Sequence, residues 1–344
     1  MAAPSTAITR LDLSFSYGEF NLAANAGKFI GLQMLPPLGV AKEASDFAKV
    51  ELESLLTKTE DTERAPKAEY GRDSWDWTTD SYACKEHGVE EVVDDATVER
   101  YGDVVRAEFI ATNRAINRVL QRLEFDIAAA CETAGNNGAS TAATTAWTTA
   151  ATADPVADID AAHDRLEAAC GENANTLQVT RKAFRAMIRT DRLEALLKYD
   201  ASELLVALNN GQNQNMVSEI MSGLKDLLQV DRILVARGFK NTADRGQTGS
   251  LSRVWDDTKA HLCVVQNDGL EGDLENPSPQ WGRTVFSTQN GEQLPGVNDG
   301  GLASLIMDEY RDEPVRGSVL RPRNKRAVKI LHANCSQQLT GVTA

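Results

Sequence analysis

No run of about eighteen apolar residues occurs in the chain, so no stretch of it is fit to cross a membrane as a helix. The opening MAAPSTAITRLDLSF also lacks the basic-then-hydrophobic order of a signal peptide. Basic residues are short: 36 Lys and Arg stand against 50 Asp and Glu, a formal net charge of -14. That argues against wrapping nucleic acid non-specifically, which needs phosphates neutralised by Lys and Arg, although a local basic face is compatible with the total. Cysteine is sparse too. Cys84, Cys131, Cys170, Cys263 and Cys335 are odd in number, and no two sit at ligand or redox spacing. A disulfide-dense secreted framework is excluded, and buried thiols in a reducing compartment are the reading.

Catalytic grammar is missing as well. There is no HExxH, no GxSxG, and no Walker or dinucleotide glycine pattern. The four histidines, His87, His163, His261 and His332, share no motif spacing, and His163 falls in a predicted helix over 155–170 as a surface or boundary residue. GLASLIMDE and GVNDGG are glycine-containing turns, too weak to cradle phosphate. No catalytic residue, cofactor or metal ligand is therefore expected.

What is present is a chain of 344 residues, 42% apolar, enough for one large domain or two smaller ones. Its organising stretch is 103–134. Val105, Phe109, Ile116, Leu120, Leu123 and Ile127 recur there at helical spacing, with Thr112 filling one turn. Arg106, Glu108, Arg114, Arg118, Arg122 and Glu124 are assigned to the remaining surface. Neither Gly nor Pro interrupts, so the spacing predicts one helix of roughly 45 Å. Such a helix can be the backbone of a broad, flat molecule or a long helix in an ordinary globular enzyme.

Before it, residues 1–40 carry few charges and no long periodic pattern, yet Phe15, Tyr17, Phe20, Phe29 and Ile30 are too sticky for a solvated tail. An arm lying along another surface, of this subunit or a neighbour, accounts for both facts, and Pro36–Pro37 stiffen its exit. Residues 41–95 read as two charge-rich strands around a polar tip, TKTEDTERAPKAEYGRDS, which includes Arg64. Trp75 and Trp77 lie in the tip region as docking residues. The acids Glu86, Glu90, Glu91 and Asp94–Asp95 can be imagined as metal ligands or an acid/base pair. Their placement along a predicted strand favours a charged edge facing solvent or a subunit. Likewise Arg114 and Arg118 can meet nucleic acid, but the interspersed acids favour salt-bridged contact with protein.

After the long helix, Asn136-Asn137-Gly138 is a helix stop, Asp154 caps a helix opened by Pro155 and ended by Gly171, and Thr176–Thr180 is a short buried strand. Thr180 caps a further helix, RKAFRAMIRTDRLEALLKY. Ser218–Leu228 reads as a helix, residues 209–215 and 240–250 as loops, His261–Val265 and WGRTVFST as strands. The end suggests two strands, around 315–321 and 327–332. This order gives α+β rather than a doubly wound sheet. An arm, a hairpin and a long helix around a compact α/β part make physical sense when copies of the same protein supply the contacts.

The residues PPLGVAKEASDFAKVELESLL, EDTERAPKAEYGRDSWDWTTDSYACKEHGVEEVVDD and the helix ending IAAAC, then DPVADIDAAHDRLEAACGENANTLQVTRKAFRAMIRTDRLEALLKY and PVRGSVLRPRNKRAVKILHANC, carry a family resemblance. In that order, over roughly 30–335, the chain resembles the major capsid proteins of tailed bacteriophages. The resemblance implies an N-terminal arm (1–40), an extended β-hairpin loop (41–95), a peripheral domain (96–154) with a spine helix at 103–134, a compact axial domain (155–300), and C-terminal strands (301–344) returning to the peripheral domain. It implies a non-enzymatic subunit of the virion, assembled in the host cytoplasm. Hexamers and pentamers of it would form an icosahedral shell around double-stranded DNA, without sequence-specific binding. The inter-subunit candidates are then Phe15, Tyr17, Phe20, Arg64, Trp75, Trp77, Glu90, Glu91, Arg114 and Arg118. No charged coiled-coil stretch precedes the arm, so a scaffolding protein would be separate or absent; decoration and portal proteins are further partners. Some relatives crosslink through a Lys and an Asn, and Lys58 and Lys67 lie near the loop tip without an identifiable partner. The alternatives are a nanocompartment shell of the same fold, a minor virion protein, or an unrecognised soluble α+β enzyme.

Overall fold

The computed structural model describes residues 8–9, 29–50, 66, 69, 77–101, 107–197, 214–243, 247–266, 279–287 and 305–343. Phe15, Tyr17, Phe20, Arg64 and Trp75, with most of the expected arm and hairpin tip, lie outside these. The architecture is α+β, as the order of predicted elements implied. The first part holds β1 (Ile8–Thr9), α1 (Gly31–Met34), β2 (Pro37–Val40), β3 (Ala44–Val50), β4 (Trp77–Ala83), β5 (Lys85–Gly88), β6 (Glu91–Asp94) and α2 (Asp95–Tyr101). The long α3 (Ala107–Glu132) follows, then β7 (Ala139–Ala142), α4 (Pro155–Cys170), β8 (Thr176–Thr180), α5 (Arg181–Ile188), α6 (Asp191–Leu197) and α7 (Gln214–Leu227). The last part holds β9 (Arg232–Ala236), β10 (Phe239–Asn241), β11 (Leu251–Arg253), β12 (Lys259–Cys263), β13 (Gly282–Ser287), β14 (Ile306–Asp312), β15 (Gly317–Ile330) and β16 (Ser336–Thr340).

Two sheets organise the chain. One has the order β7-β16-β12-β8-β9; the other runs β1-β14-β15-β13-β2, with β5 and β6 also paired to β15. β3 with β4, and β10 with β11, form separate two-stranded hairpins, the second within a stretch that reads as loop from its polarity. β14 and β16, like the short β1, β2 and β7, were invisible as periodicity, and the two strands expected near the end are one. β15 runs unbroken through Pro322, which lacks an N–H to donate. The strand opposite breaks at that place: β6 ends its pairing at Glu91↔Leu320 and β5 begins at Gly88↔Arg323, leaving Val89 and Glu90 between them.

Capping explains the helices that were legible. Asp154 accepts from the Ala157 N–H, Pro155 occupies the first turn, and Gly171 ends α4 at φ 72°, a left-handed conformation glycine adopts without strain. Thr180 accepts from Ala183 N at 3.3 Å and opens α5. The single helix expected from 181 onward divides at Thr190, whose hydroxyl turns back to the Met187 carbonyl at 2.8 Å.

α3 packs on β15 and β6. Ile116, Leu120, Leu123 and Ile127 are buried as their spacing predicts, with Thr112 filling its turn. Two assignments on this helix are corrected. Phe109 is exposed, because the buried stripe begins only at Ala111. Glu124, assigned to the surface, is buried at 2% exposure in the middle of the stripe. The stripe joins one continuous core that includes Trp147, Ile159, Leu177, Trp255, Leu262 and Trp281. Each of the three tryptophans hands its indole N–H to an acceptor: Trp147 to Asp158 at 3.0 Å, Trp255 to Glu124 at 2.6 Å, Trp281 to the Asn136 carbonyl at 2.8 Å. A buried donor without a partner costs about 1 to 3 kcal/mol, so these acceptors fix where each ring sits.

Candidate assembly surface

Three features bear on how this chain meets others: the root of the β3–β4 hairpin, the attachment of the segment that follows residue 28, and the charged belt along β15. The hairpin is rooted by a small apolar cluster of Leu38, Phe47, Tyr82, Val285 and Leu331. Phe47 and Tyr82 sit with ring centroids 6.3 Å apart. Charge reinforces it: Lys329 on β15 donates to Asp80 on β4 at 2.6 Å, and Lys325 pairs with Glu43 just before β3. Burial alone raises the Asp80 carboxyl, but the Lys329 ammonium and the Ser81 N–H outweigh it and hold the group below its ordinary range. Beyond this root β4 carries exposed side chains, and Trp77, at its far end, is 55% exposed. A tryptophan held in water at this end of β4 forfeits a large apolar burial.

The segment after residue 28 is pinned by the buried carboxylate. Glu124 Oε1 accepts from Ile30 N at 3.1 Å and from Trp255, while Oε2 accepts from Gly31 N at 2.8 Å. Gly31 is required here: a Cβ would sit 2.7 Å from Glu124 Oε2 and 2.9 Å from Ile127 Cδ1. Desolvation raises the Glu124 carboxyl, and the three donors oppose that. Sequence reading missed this junction because an acid between Leu123 and Phe125 looks like the polar face. The available signals were Gly31 and Trp255, each far away in sequence.

The belt along β15 gathers the acids that read as an outward edge. Glu90 accepts from Tyr310 at 3.1 Å and lies 3.8 Å from Arg321; Glu86 lies 4.0 Å from Arg323. Arg321 and Arg323 also converge on the buried Asp308, at 3.1 and 2.7 Å. Glu91 is held by Arg118 at 3.0 Å and Arg114 at 3.6 Å. Glu91, Arg114 and Arg118, expected to contact a neighbour, are thus brought together within one chain, although both arginines keep more than half of their side chains in solvent. Asp95 pairs with Arg311 at 2.6 Å. The basic run RPRNKR, which falls largely between the two strands expected near the end, is what Glu86, Glu90 and Asp308 answer.

A neutral network closes the five-stranded sheet. His261 Nδ1–H donates to Gln178 Oε1 at 2.9 Å, and Gln338 Nε2 donates to His261 Nε2 at 3.1 Å. Burial pushes His261 from its ordinary 6.5 down to about 3, so it is an uncharged spacer stacked on Trp281. Among the described residues no group of three or more His, Cys, Asp or Glu could hold a metal ion, and no helix is long and apolar enough to cross a membrane.

No protein-family model and no curated protein sequence matches the chain. Solved structures do match. A phage-related protein from Bordetella bronchiseptica shares the fold with a TM-score of 0.66 at 17% identity, over 98% of this chain and 99% of that one. A virus-like particle from Pyrococcus furiosus matches with a TM-score of 0.54 at 11% identity, over 95% and 98% of the two chains. The capsid of the cyanophage P-SCSP1u matches at 0.51 and 9% identity, over 100% of this chain and 91% of that one. The chain therefore has a capsid-like α+β fold, shared along nearly its whole length with proteins of phages and virus-like particles.

Proposed function

We propose that the chain is a major shell subunit of an icosahedral phage head, associating with copies of itself into hexamers and pentamers around double-stranded DNA. The observation that carries this reading is the capsid-like fold, shared along nearly the whole chain. In this reading residues 1–40 are the arm, 41–95 the extended loop, 96–154 the peripheral domain with α3 as its spine, 155–300 the axial domain and 301–344 the returning strands. The sheets exchange strands across those boundaries, β7 and β16 lying with β8, β9 and β12, and β13 with β14 and β15.

The work is association rather than turnover. Heterologous contacts that close as rings need a different patch on each side of the subunit, and a projecting hairpin then ties one ring to the next. Trp77, with Phe15, Tyr17, Phe20, Arg64 and Trp75, supplies apolar and charged contact in that scheme, and the exposed parts of Arg114 and Arg118, with Glu90 and Glu91, supply its ionic rim. A net negative subunit suits a container whose DNA must leave, because a strongly cationic lining would retain it. Separate scaffolding, decoration or portal proteins fit the same scheme. A shell without a viral genome is the second reading, favoured by the likeness to the virus-like particle.

Sedimentation velocity and electron microscopy on the full chain test this. Rings of five and six or closed shells are expected, and nuclease-protected double-stranded DNA in particles from infected cells separates a viral head from a compartment. A chain that stays monomeric at high concentration, with hairpin and N-terminal segment protected from protease, overturns the reading.

A further inference from the structure

Two helices on the five-stranded sheet present opposite charge. α4 lies over β12 and β16, whereas α5 lies over β8 and β9, toward the other edge of the same sheet. On α4 the exposed residues Asp160, Asp164 and Glu167 fall at spacings of four and three, one stripe about 10 Å long. None of these carboxylates has an ion pair among the described residues. Partial burial raises the Asp160 carboxyl; His163 opposes this, while the neighbouring acids Asp164 and Asp154 add to it. α5 and its capping residue carry Arg181, Lys182, Arg185 and Arg189, all exposed, with no acid in the helix. Arg181, Arg185 and Arg189 repeat every four residues, a stripe of about 12 Å. Arg185 and Arg189 meet no carboxylate among the described residues.

Like charges along one helix face cost a few tenths of a kcal/mol per pair. The lengths match, the signs are opposite, and the two stripes overlie different strands of one sheet. In a chain of net charge -14, general repulsion opposes self-association unless it is locally reversed. We propose that the acidic face of α4 on one copy docks against the basic face of α5 on the next, a head-to-tail contact that orders copies around a ring. This deepens the shell reading and rests on it. Such a contact is heterologous by construction: each copy uses a different patch on each side. The occupant of each stripe is the other stripe.

Charge reversal in the full chain tests it. Asp160→Lys with Asp164→Lys makes one variant, Arg185→Glu with Arg189→Glu a second, and all four substitutions together a third. Circular dichroism monitors folding, and the positions are exposed. Sedimentation velocity is expected to show at least a tenfold rise in the concentration needed for half-assembly for either two-site variant. Recovery to within about threefold of the parent is expected for the four-site variant and for an equal mixture of the first two. Parent assembly is also expected to weaken in 1 M salt, where screening shortens to about 3 Å. Two-site variants that assemble like the parent, or a four-site variant no better than either, overturn the docking while leaving the shell reading intact. A basic-face variant that assembles normally but loses affinity for a DNA duplex would assign α5 to nucleic acid instead. A parent chain that never associates overturns both.

Discussion

The two sheets solve the same problem, polar groups inside a protein, by different chemistry. In the five-stranded sheet every residue of β8 is buried, and its inner polar groups are neutral: Gln178, His261 and Gln338 exchange hydrogen bonds around an imidazole kept uncharged. In the seven-stranded sheet, β15 alternates between buried and half-buried positions and carries Arg321, Arg323, Lys325, Arg326 and Lys329, each met by a carboxylate. The first arrangement is indifferent to salt and fixed by shape. The second leaves the hairpin root held by partly wet ion pairs, whose strength varies with ionic strength. On the proposed shell reading, the first supplies a rigid body and the second an adjustable limb.

The largest expected effect breaks the rigid side. Leu177→Ala, at a fully buried position of β8, should cost about 3 kcal/mol in urea unfolding, since the surrounding sheet and helices collapse only partly into the space. A cost below about 1 kcal/mol would mean that the sheet is not closely packed there. Next comes Glu124→Gln. The amide oxygen can keep accepting from Trp255 and Ile30, but the NH2 then faces the Gly31 N–H, and the loss of that acceptor should cost about 2 kcal/mol. Faster proteolysis near residue 30 should accompany it; an unchanged cleavage rate would show that the carboxylate does not anchor that segment.

The pH dependence sharpens the comparison because only the neutral sheet buries a histidine so completely. With His261 near 3 in the folded chain and 6.5 in the unfolded one, the unfolded chain takes up the extra proton between those values. The stability it contributes is complete above 6.5 and falls at up to about 1.4 kcal/mol per pH unit as the solution is acidified. Glu124 has the opposite sign: its raised carboxyl contributes stability that is present below 4.5 and lost as pH rises through the folded value. Unfolding free energies of the parent and of His261→Gln, measured in parallel from pH 4.5 to 7, isolate the histidine. The difference between them should shrink toward acid pH, and a constant difference would contradict the buried neutral ring.

What could be read from the sequence was whatever rested on local chemistry. Asp154, Pro155 and Gly171 delimit α4 with no help from tertiary contacts, and Thr176–Thr180 is apolar enough, between two capped helices, to be a buried strand. Glu124 and Phe109 were misassigned for a tertiary reason. The helix period says which residues share a face but not where the partner surface begins or whether that surface carries donors, here Ile30, Gly31 and Trp255. β15 looked like two strands because Pro322 and its charges interrupt the alternation, and of the acids that neutralise those charges only Asp308 is near in sequence, while Glu43, Asp80, Glu86, Glu90 and Asp126 lie two hundred residues or more earlier. The charged contacts were legible as charge and illegible as pairs. Glu91 and the arginines at 114 and 118 were each singled out, yet nothing local says that they meet one another.

The smallest effect is the most diagnostic of the adjustable side. Lys329 and Asp80 join β15 to β4 with side chains 22% and 31% exposed, and Lys325 joins Glu43 beside them. Lys329→Ala should cost no more than about 1 kcal/mol, well below the Leu177→Ala loss, because solvent already screens the pair. A double-mutant cycle with Asp80→Ala should give a coupling of about 0.5 kcal/mol at low salt that vanishes near 1 M salt. If the coupling persists in high salt, the hairpin root is as fixed as the five-stranded sheet, and the contrast between them fails. If it vanishes while Phe47→Ala still destabilises the root strongly, the apolar cluster holds the hairpin in place and the ion pairs set only its angle. On the proposed shell reading, that division is what an element joining copies in slightly different positions would require: a hinge that does not detach, and a bearing that salt and neighbours can turn.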